Sequence, residues 1–230
     1  MLTQTMVNHG TPLQPSTHSN RPVAPVAAHP FKTQMEMMGA VMPYARNVEI
    51  YGENERADYL YKVLSGSVRT YKVLSDGRRQ IGSFYLPGDM FGFEVGAEHT
   101  FSAEAIVDCK VLVIKRTAVM SLAARNSEVA RDLWAMTASE LQRTQEHILL
   151  LIKTARERVA GFLLEMSGRL PAGNEIDLPM SRQDIADYLG LTIETVSRTL
   201  TQLEESKAIA VPTSRHILLR NRSVLSRMIS

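Results

Sequence analysis

The stretch DIADYLGLTIETVSRTL, residues 184–200, constrains the fold most, because two short helical patterns meet there at a single glycine, Gly190. Ser181 followed three residues later by Asp184 has the form of a capping box, which starts the first helix at Arg182. Ile185, Ala186 and Leu189 give that helix an apolar face, and Gly190 supplies the tight turn after it. Thr192 can cap a second helix, in which Val196, Leu200 and Leu203 point inward.

Opposite that inward stripe lie Ile193, Glu194, Ser197, Arg198 and Thr201. The layout is a helix-turn-helix, whose second helix can enter the major groove of double-stranded DNA with its N-terminal residues leading. Arg198 can bond bidentately to guanine, Glu194 can accept from cytosine N4, and Ser197 and Ile193 can meet a thymine edge or methyl. Ser181, Arg182, Thr192 and Thr201 are placed for phosphate contacts that set the register. The alternative is that Glu194 and Arg198, four apart, form a solvated helical ion pair. The net charge of +2 names no partner. From Ser206 onward, however, the chain carries Lys207, Arg215, Arg220, Arg222 and Arg227 with no acid, which suits a polyanion or a solvated surface.

Upstream, from about Val48 to Lys115, short alternating runs are broken by turn signals, Asp76-Gly77 being the strongest hairpin marker. Many short strands at such spacing predict an antiparallel sandwich or barrel. The segment from Arg116 to Gly161 then has no glycine or proline in its interior. Within it Trp134, Ala138, Leu141, Gln145, Ile148, Ile152 and Ala155 recur at steps of four and three, a seam that pairs two helices. Such a stripe also suits a helix packed on its own barrel. The homodimer seam is favoured because Leu133, Leu149 and Leu150 remain to serve the barrel. A following helix, ARERVAGFLLEMSGRL, stops near Pro171, and AIAVP and HILLR read as short extended runs. The expected division is a flexible arm over 1–30, a β-barrel over 31–115, a dimerisation helix over 116–153 and a DNA-binding domain over 154–230.

Several classes of function drop out. One cysteine, Cys109 in an apolar run, excludes an intrachain disulfide framework and any multi-cysteine metal or iron-sulfur site, and reads as a buried thiol. No apolar run approaches the roughly 20 residues that cross a bilayer, and the N-terminus shows no signal-peptide core, so a cytoplasmic protein without membrane contact is expected. A barrel of this size could be a cupin-type enzyme. The six histidines never pair in an H-x-H spacing, though, and no phosphate-binding or nucleophile motif is present, so neither catalysis nor a metal is expected. His99, in a loop-like stretch, reads as a surface histidine.

SRQDIADYLGLTIETVSRTL resembles the helix-turn-helix of the catabolite activator and fumarate-nitrate regulator (CRP/FNR) superfamily, in particular its FixK-type branch, and DGRRQIGSFYLPGDMFGFE is similar to that branch's barrel signature. The resemblance implies an α+β fold: an N-terminal antiparallel β-barrel of the cyclic-nucleotide-binding, jelly-roll kind, a long dimerisation helix and a C-terminal winged helix-turn-helix. It further implies a homodimeric transcription activator that works through RNA polymerase, on microaerobic and nitrogen-fixation genes, at a palindrome like TTGAT-N4-ATCAA read by Glu194, Ser197 and Arg198. By the same analogy Asp76, Arg78 and Arg79 on one loop and Arg169 on another are candidate polymerase contacts. The departures matter too. The arm lacks the cysteine cluster of the iron-sulfur oxygen sensors, and Phe101-Ser102 stands where cyclic-AMP binders carry Arg-Ser. Without that cation a cyclic phosphate is poorly held, so no cyclic AMP, no cofactor and effector-free activity are expected. Some relatives carry a cysteine where Ser181 stands, and serine cannot undergo thiol oxidation. A regulator gated by another small molecule, or a repressor, are the alternatives.

Overall fold

The strand punctuation between Val48 and Lys115, with one further strand before it, builds two four-stranded antiparallel sheets in the computed structural model, which describes residues 35, 37–171 and 173–229. The arm expected over 1–30 lies outside the described residues. One sheet runs in the order β1 (Ala40–Tyr44), β8 (Cys109–Lys115), β3 (Tyr59–Ser65), β6 (Met90–Phe91). The other runs β2 (Glu49–Tyr51), β7 (Ser102–Ala105), β4 (Val68–Val73), β5 (Arg79–Tyr85). Alternate residues of both sheets meet in one core of Tyr51, Tyr61, Val63, Val68, Phe91, Ala103 and Val111. Cys109 is buried there, and burial pushes its thiol up to about 11, the behaviour of an inert packing residue. Asp76-Gly77 lies in the β4–β5 hairpin, where Leu74 donates to the Arg78 carbonyl at 2.8 Å and Gly77 takes φ 83°.

The Gly- and Pro-free segment is broken twice, at Asn126 and again over residues 152–154. Helix α1 (Arg116–Arg125) ends at Asn126, which sits in extended geometry and starts α2 (Ser127–Leu151) by accepting at Oδ1 from the Glu128 and Val129 N–H groups. A short amide that satisfies the open N–H groups of a new helix is enough to end the old one. Along α2, Leu133 and Met136 pack on a core of Leu60, Leu112, Ile114 and Val119, and Leu150 packs on the C-terminal core. Leu149 was expected on that side but is 59% exposed.

Helix α3 (Ala155–Arg169) opens with a Thr154–Glu157 capping box. It leads to β9 (Glu175–Asp177), α4 (Arg182–Leu189), α5 (Ile193–Glu205), β10 (Ile209–Ala210), β11 (His216–Leu219) and α6 (Arg222–Ile229). The runs AIAVP and HILLR supply β10 and β11, which join β9 in a three-stranded wing. Phe162, Leu163, Met166, Leu189, Val196, Leu203, Ile217 and Leu225 close the core beneath them. That core also takes in Ile81 and Phe84 from β5, so the two halves share packing.

Candidate nucleic-acid interface

The helix-turn-helix forms as its capping residues require. Ser181 accepts from Asp184 N–H while Asp184 Oδ2 accepts from Ser181 N–H at 2.9 Å, a closed capping box at the start of α4. Gly190 ends α4 at φ 62°, a conformation that glycine adopts at least cost. Thr192 caps α5 by accepting from Thr195 N–H at 3.2 Å. Val196, Thr199, Leu200 and Leu203 are buried, whereas Thr192, Ile193, Glu194, Arg198 and Thr201 are exposed and Ser197 is half-buried. The residues read as a recognition face therefore share one open side of α5. Glu194 and Arg198 form no ion pair with each other among the described residues. Glu194's own backbone N–H and the Thr192 hydroxyl hold its carboxyl below the usual range.

The residues read as phosphate contacts are less free than the base-reading ones. The Ser181 hydroxyl donates to Asp184 Oδ2 at 2.8 Å, and the Thr201 hydroxyl donates to the Ser197 carbonyl at 3.2 Å. Arg182 Nη1 donates to Ser197 Oγ at 3.2 Å.

What fixes this face relative to the β-domain is a cluster of charges that sequence reading missed. Arg69 on β4 bonds Glu104 Oε1 at 2.6 Å and Asp184 Oδ1 at 3.1 Å, with only 8% of its side chain exposed. Arg79 on β5 reaches Asp184 and Asp187 at 2.7 Å each. The capping carboxylate of α4 is thus also the acceptor for two arginines of the β-domain. Two further anchors act at the other end of α4. His147 on α2 stacks on Tyr188 at 3.9 Å and bonds its carbonyl at 2.9 Å, and Arg158 on α3 donates to the Leu189 carbonyl at 2.9 Å. Burial holds the His147 imidazole below its ordinary pKa, and since a carbonyl can only accept, the Nε2 facing Tyr188 carries a hydrogen.

The remaining expectations sort by exposure. Asp76 and Arg78 sit exposed at the β4–β5 hairpin tip, paired at 2.7 Å, beside an open groove of about 750 Å³ that runs to Thr192 and Glu194. Arg79 is engaged as described. Arg169 ends α3 and gives its guanidinium to the Phe84 carbonyl, Asp89 and Glu165. Trp134 (76%), Leu141 (58%) and Ile148 (58%) on α2 and Ile152 (79%) just past its end are all exposed, a stripe of apolar side chains that nothing among the described residues covers.

His99 is a correction: it is 1% exposed, stacked on Tyr51 at 3.6 Å with Glu94 at 3.6 Å, because an adjacent bridge between Arg56 and Glu98 folds its loop over the sandwich. Nearby, a cavity of about 220 Å³ is lined by Tyr51, Glu94, Thr100, Phe101 and Glu140 among others, with no Lys or Arg. Phe101 packs so closely over Gly82 that a Cβ there would meet the ring at 3.1 Å. A cyclic nucleotide does not fit these residues, since the cavity lining offers its phosphate no cation and carries the carboxylates of Glu94 and Glu140. No helix among the described residues is long and apolar enough to cross a membrane, and no metal-holding cluster occurs among them.

A β-sandwich joined by a long helix to a winged helix-turn-helix defines a class, the two-domain DNA-binding regulators. The Crp-like helix-turn-helix domain family matches residues 157–228, and the cyclic nucleotide-binding domain family matches residues 41–126. The chain is 50% identical to the nitrogen fixation regulation protein FixK of Azorhizobium caulinodans, over 91% of this chain and 84% of that protein. It is 46% identical to the protein of the same name in Rhizobium meliloti, over 77% of this chain and 81% of that one. The solved structure of FixK2 from Bradyrhizobium japonicum superposes with a TM-score of 0.80 at 52% identity, covering 84% of this chain and 98% of that one. The chain belongs to the CRP/FNR family of transcription regulators, in its FixK-type branch, and by its matched helix-turn-helix domain is a DNA-binding regulator rather than an enzyme.

Proposed function

We propose that the chain acts as a homodimeric transcription activator that binds a TTGAT-N4-ATCAA-like palindrome without a small effector. The observation that carries this reading is that Glu194 and Arg198 are exposed on one side of α5 with Ser197 half-buried between them, their local contacts being those of Glu194 with its own N–H and Thr192 and the Arg182–Ser197 bond. Arg198 is the guanine reader, Glu194 accepts from cytosine N4, and Ser197 and Ile193 meet thymine. Thr192 and Thr201, with Ser181 behind them, are assigned to the phosphate side, whereas Arg182 is engaged with Ser197.

The α2 stripe, uncovered among the described residues, supports a second copy as partner, pairing Trp134, Leu141 and Ile148 along the helix and Ile152 at its end. Two α5 helices would then enter successive major grooves roughly 34 Å apart. Effector independence is supported by the contacts that already hold α4 on β4 and β5, and by the missing cation in the sandwich cavity. Asp76 and Arg78 are the open candidates for touching RNA polymerase, whereas Arg79 and Arg169 would first have to release their carboxylates. The names of the relatives support nitrogen-fixation genes as targets, in the cytoplasm where DNA is reached. The test is fluorescence anisotropy of ligand-free protein on the palindrome and on a scrambled duplex across a salt series. Palindrome-selective binding is expected. Binding equal on both duplexes would mean that an effector is required or that the half-site is wrong, and cyclic nucleotides would then be added.

A further inference from the structure

Arg182 opens α4, yet its Nη1 crosses the turn to donate to Ser197 Oγ on α5 at 3.2 Å. An arginine kept for phosphate would extend into water. This one is half-buried, and its Nε is buried with no hydrogen-bond partner among the described residues. Its geometry is that of a side chain folded back over the recognition helix.

The bond changes what Ser197 can offer. A serine hydroxyl has one hydrogen and two lone pairs, and a guanidinium can only donate. Once Arg182 occupies one lone pair, the hydrogen must point away from it. Thr201, one turn further on, spends its hydrogen on the Ser197 carbonyl. Ser197 spends none on the helix backbone among the described residues, so its hydrogen stays available on the open side. A free serine can read a base edge as donor or acceptor. A serine held by a cation is a donor, because another N–H brought to the same oxygen would sit beside the guanidinium charge.

We infer that Arg182 is a positioning residue for specificity: it fixes Ser197 as a hydrogen-bond donor, so that one base pair of each half-site is selected for a major-groove acceptor such as thymine O4, through a residue that need not touch the base. This rests on the reading of α5 as base-contacting.

The test uses the full chain and anisotropy on palindromes in which each half-site thymine is replaced in turn. Uracil removes only the methyl, whereas 5-methylcytosine opposite guanine keeps the methyl and exchanges O4 for an amino group. At one position the wild-type protein should lose about tenfold or more to 5-methylcytosine. Arg182→Met and Ser197→Ala should each abolish most of that discrimination while leaving the other positions within about twofold, and the double variant should add nothing beyond about twofold to Ser197→Ala alone. Arg182→Lys keeps the charge but not the planar fork, and should also lose the discrimination. The inference is overturned if Arg182→Met weakens every duplex alike, lowers the salt slope by about 1.8 for the two protomers, and adds in full to Ser197→Ala, since that is how a phosphate contact behaves. If Arg182→Lys keeps full discrimination, charge alone suffices and positioning by the guanidinium is wrong. A wild-type protein with no preference at any position would overturn base reading by α5 and this inference with it, a different failure from the phosphate result.

Discussion

Replacing Arg69 by methionine keeps an apolar stem in place and deletes both of its ion pairs, those to Glu104 at 2.6 Å and Asp184 at 3.1 Å. Asp184 retains Arg79 at 2.7 Å and its own capping bonds, so its loss is partial. Glu104 is left at 14% exposure with no cation. Removing one partner of a buried pair costs about 3 to 5 kcal/mol, and the surviving Arg79 contact puts Arg69→Met near the lower end, about 3 kcal/mol. For a chain of this size that is a fall in Tm of about 6 to 12 °C, read by calorimetry. Adding Glu104→Gln removes the stranded charge and should restore about 1 to 2 kcal/mol, since a neutral amide is cheaper to leave unpaired than a carboxylate. A shift below about 1 kcal/mol in the single variant, or no recovery in the double, would refute the view that this cluster holds α4 to the β-domain.

Three further outcomes are expected. Arg198→Ala should cost about 1 to 3 kcal/mol of palindrome binding and relax preference at one base pair per half-site; equal weakening on random DNA would make it a phosphate contact instead. Ile148→Glu should sediment as a monomer and lose the palindrome, and a dimer that persists would mean the α2 stripe is not the seam. His216 lies between Asp177 at 2.6 Å and Glu175 at 3.0 Å, which hold its imidazole above the ordinary pKa. Its pairing therefore stabilises the wing fully below the unfolded pKa of about 6.5 and is lost as pH rises through the higher folded value. An NMR titration of His216 should show that elevation, and Asp177→Asn should remove most of it.

Local signals were the readable ones. Ser181, Asp184, Gly190 and Thr192 act within four residues of themselves, so their caps and turn could be read directly, and so could the Asp76-Gly77 hairpin and the periodic stripe on α2. Asn126 was passed over because an asparagine inside a long polar-apolar pattern breaks a helix only if its side chain turns to the following N–H groups. His99 could not be placed because its burial depends on a bridge from Arg56 to Glu98, more than forty positions away in sequence. Arg69 and Asp184 are 115 positions apart, and nothing in either neighbourhood marks them as partners. Arg169 looked like a loop charge because its carboxylate Asp89 lies 80 positions upstream. The open side of α5 was legible for the opposite reason: Glu194 and Arg198 need no tertiary partner to be exposed, only a helix of known phase.

The chain has a single tryptophan, and it stands at 76% exposure on the α2 stripe. Indole emission moves to shorter wavelength when water is withdrawn from the ring. Whatever closes over Trp134 will therefore announce itself in the colour of the protein's own fluorescence, so that serial dilution of unlabelled material can follow assembly without a dye, a tag or DNA.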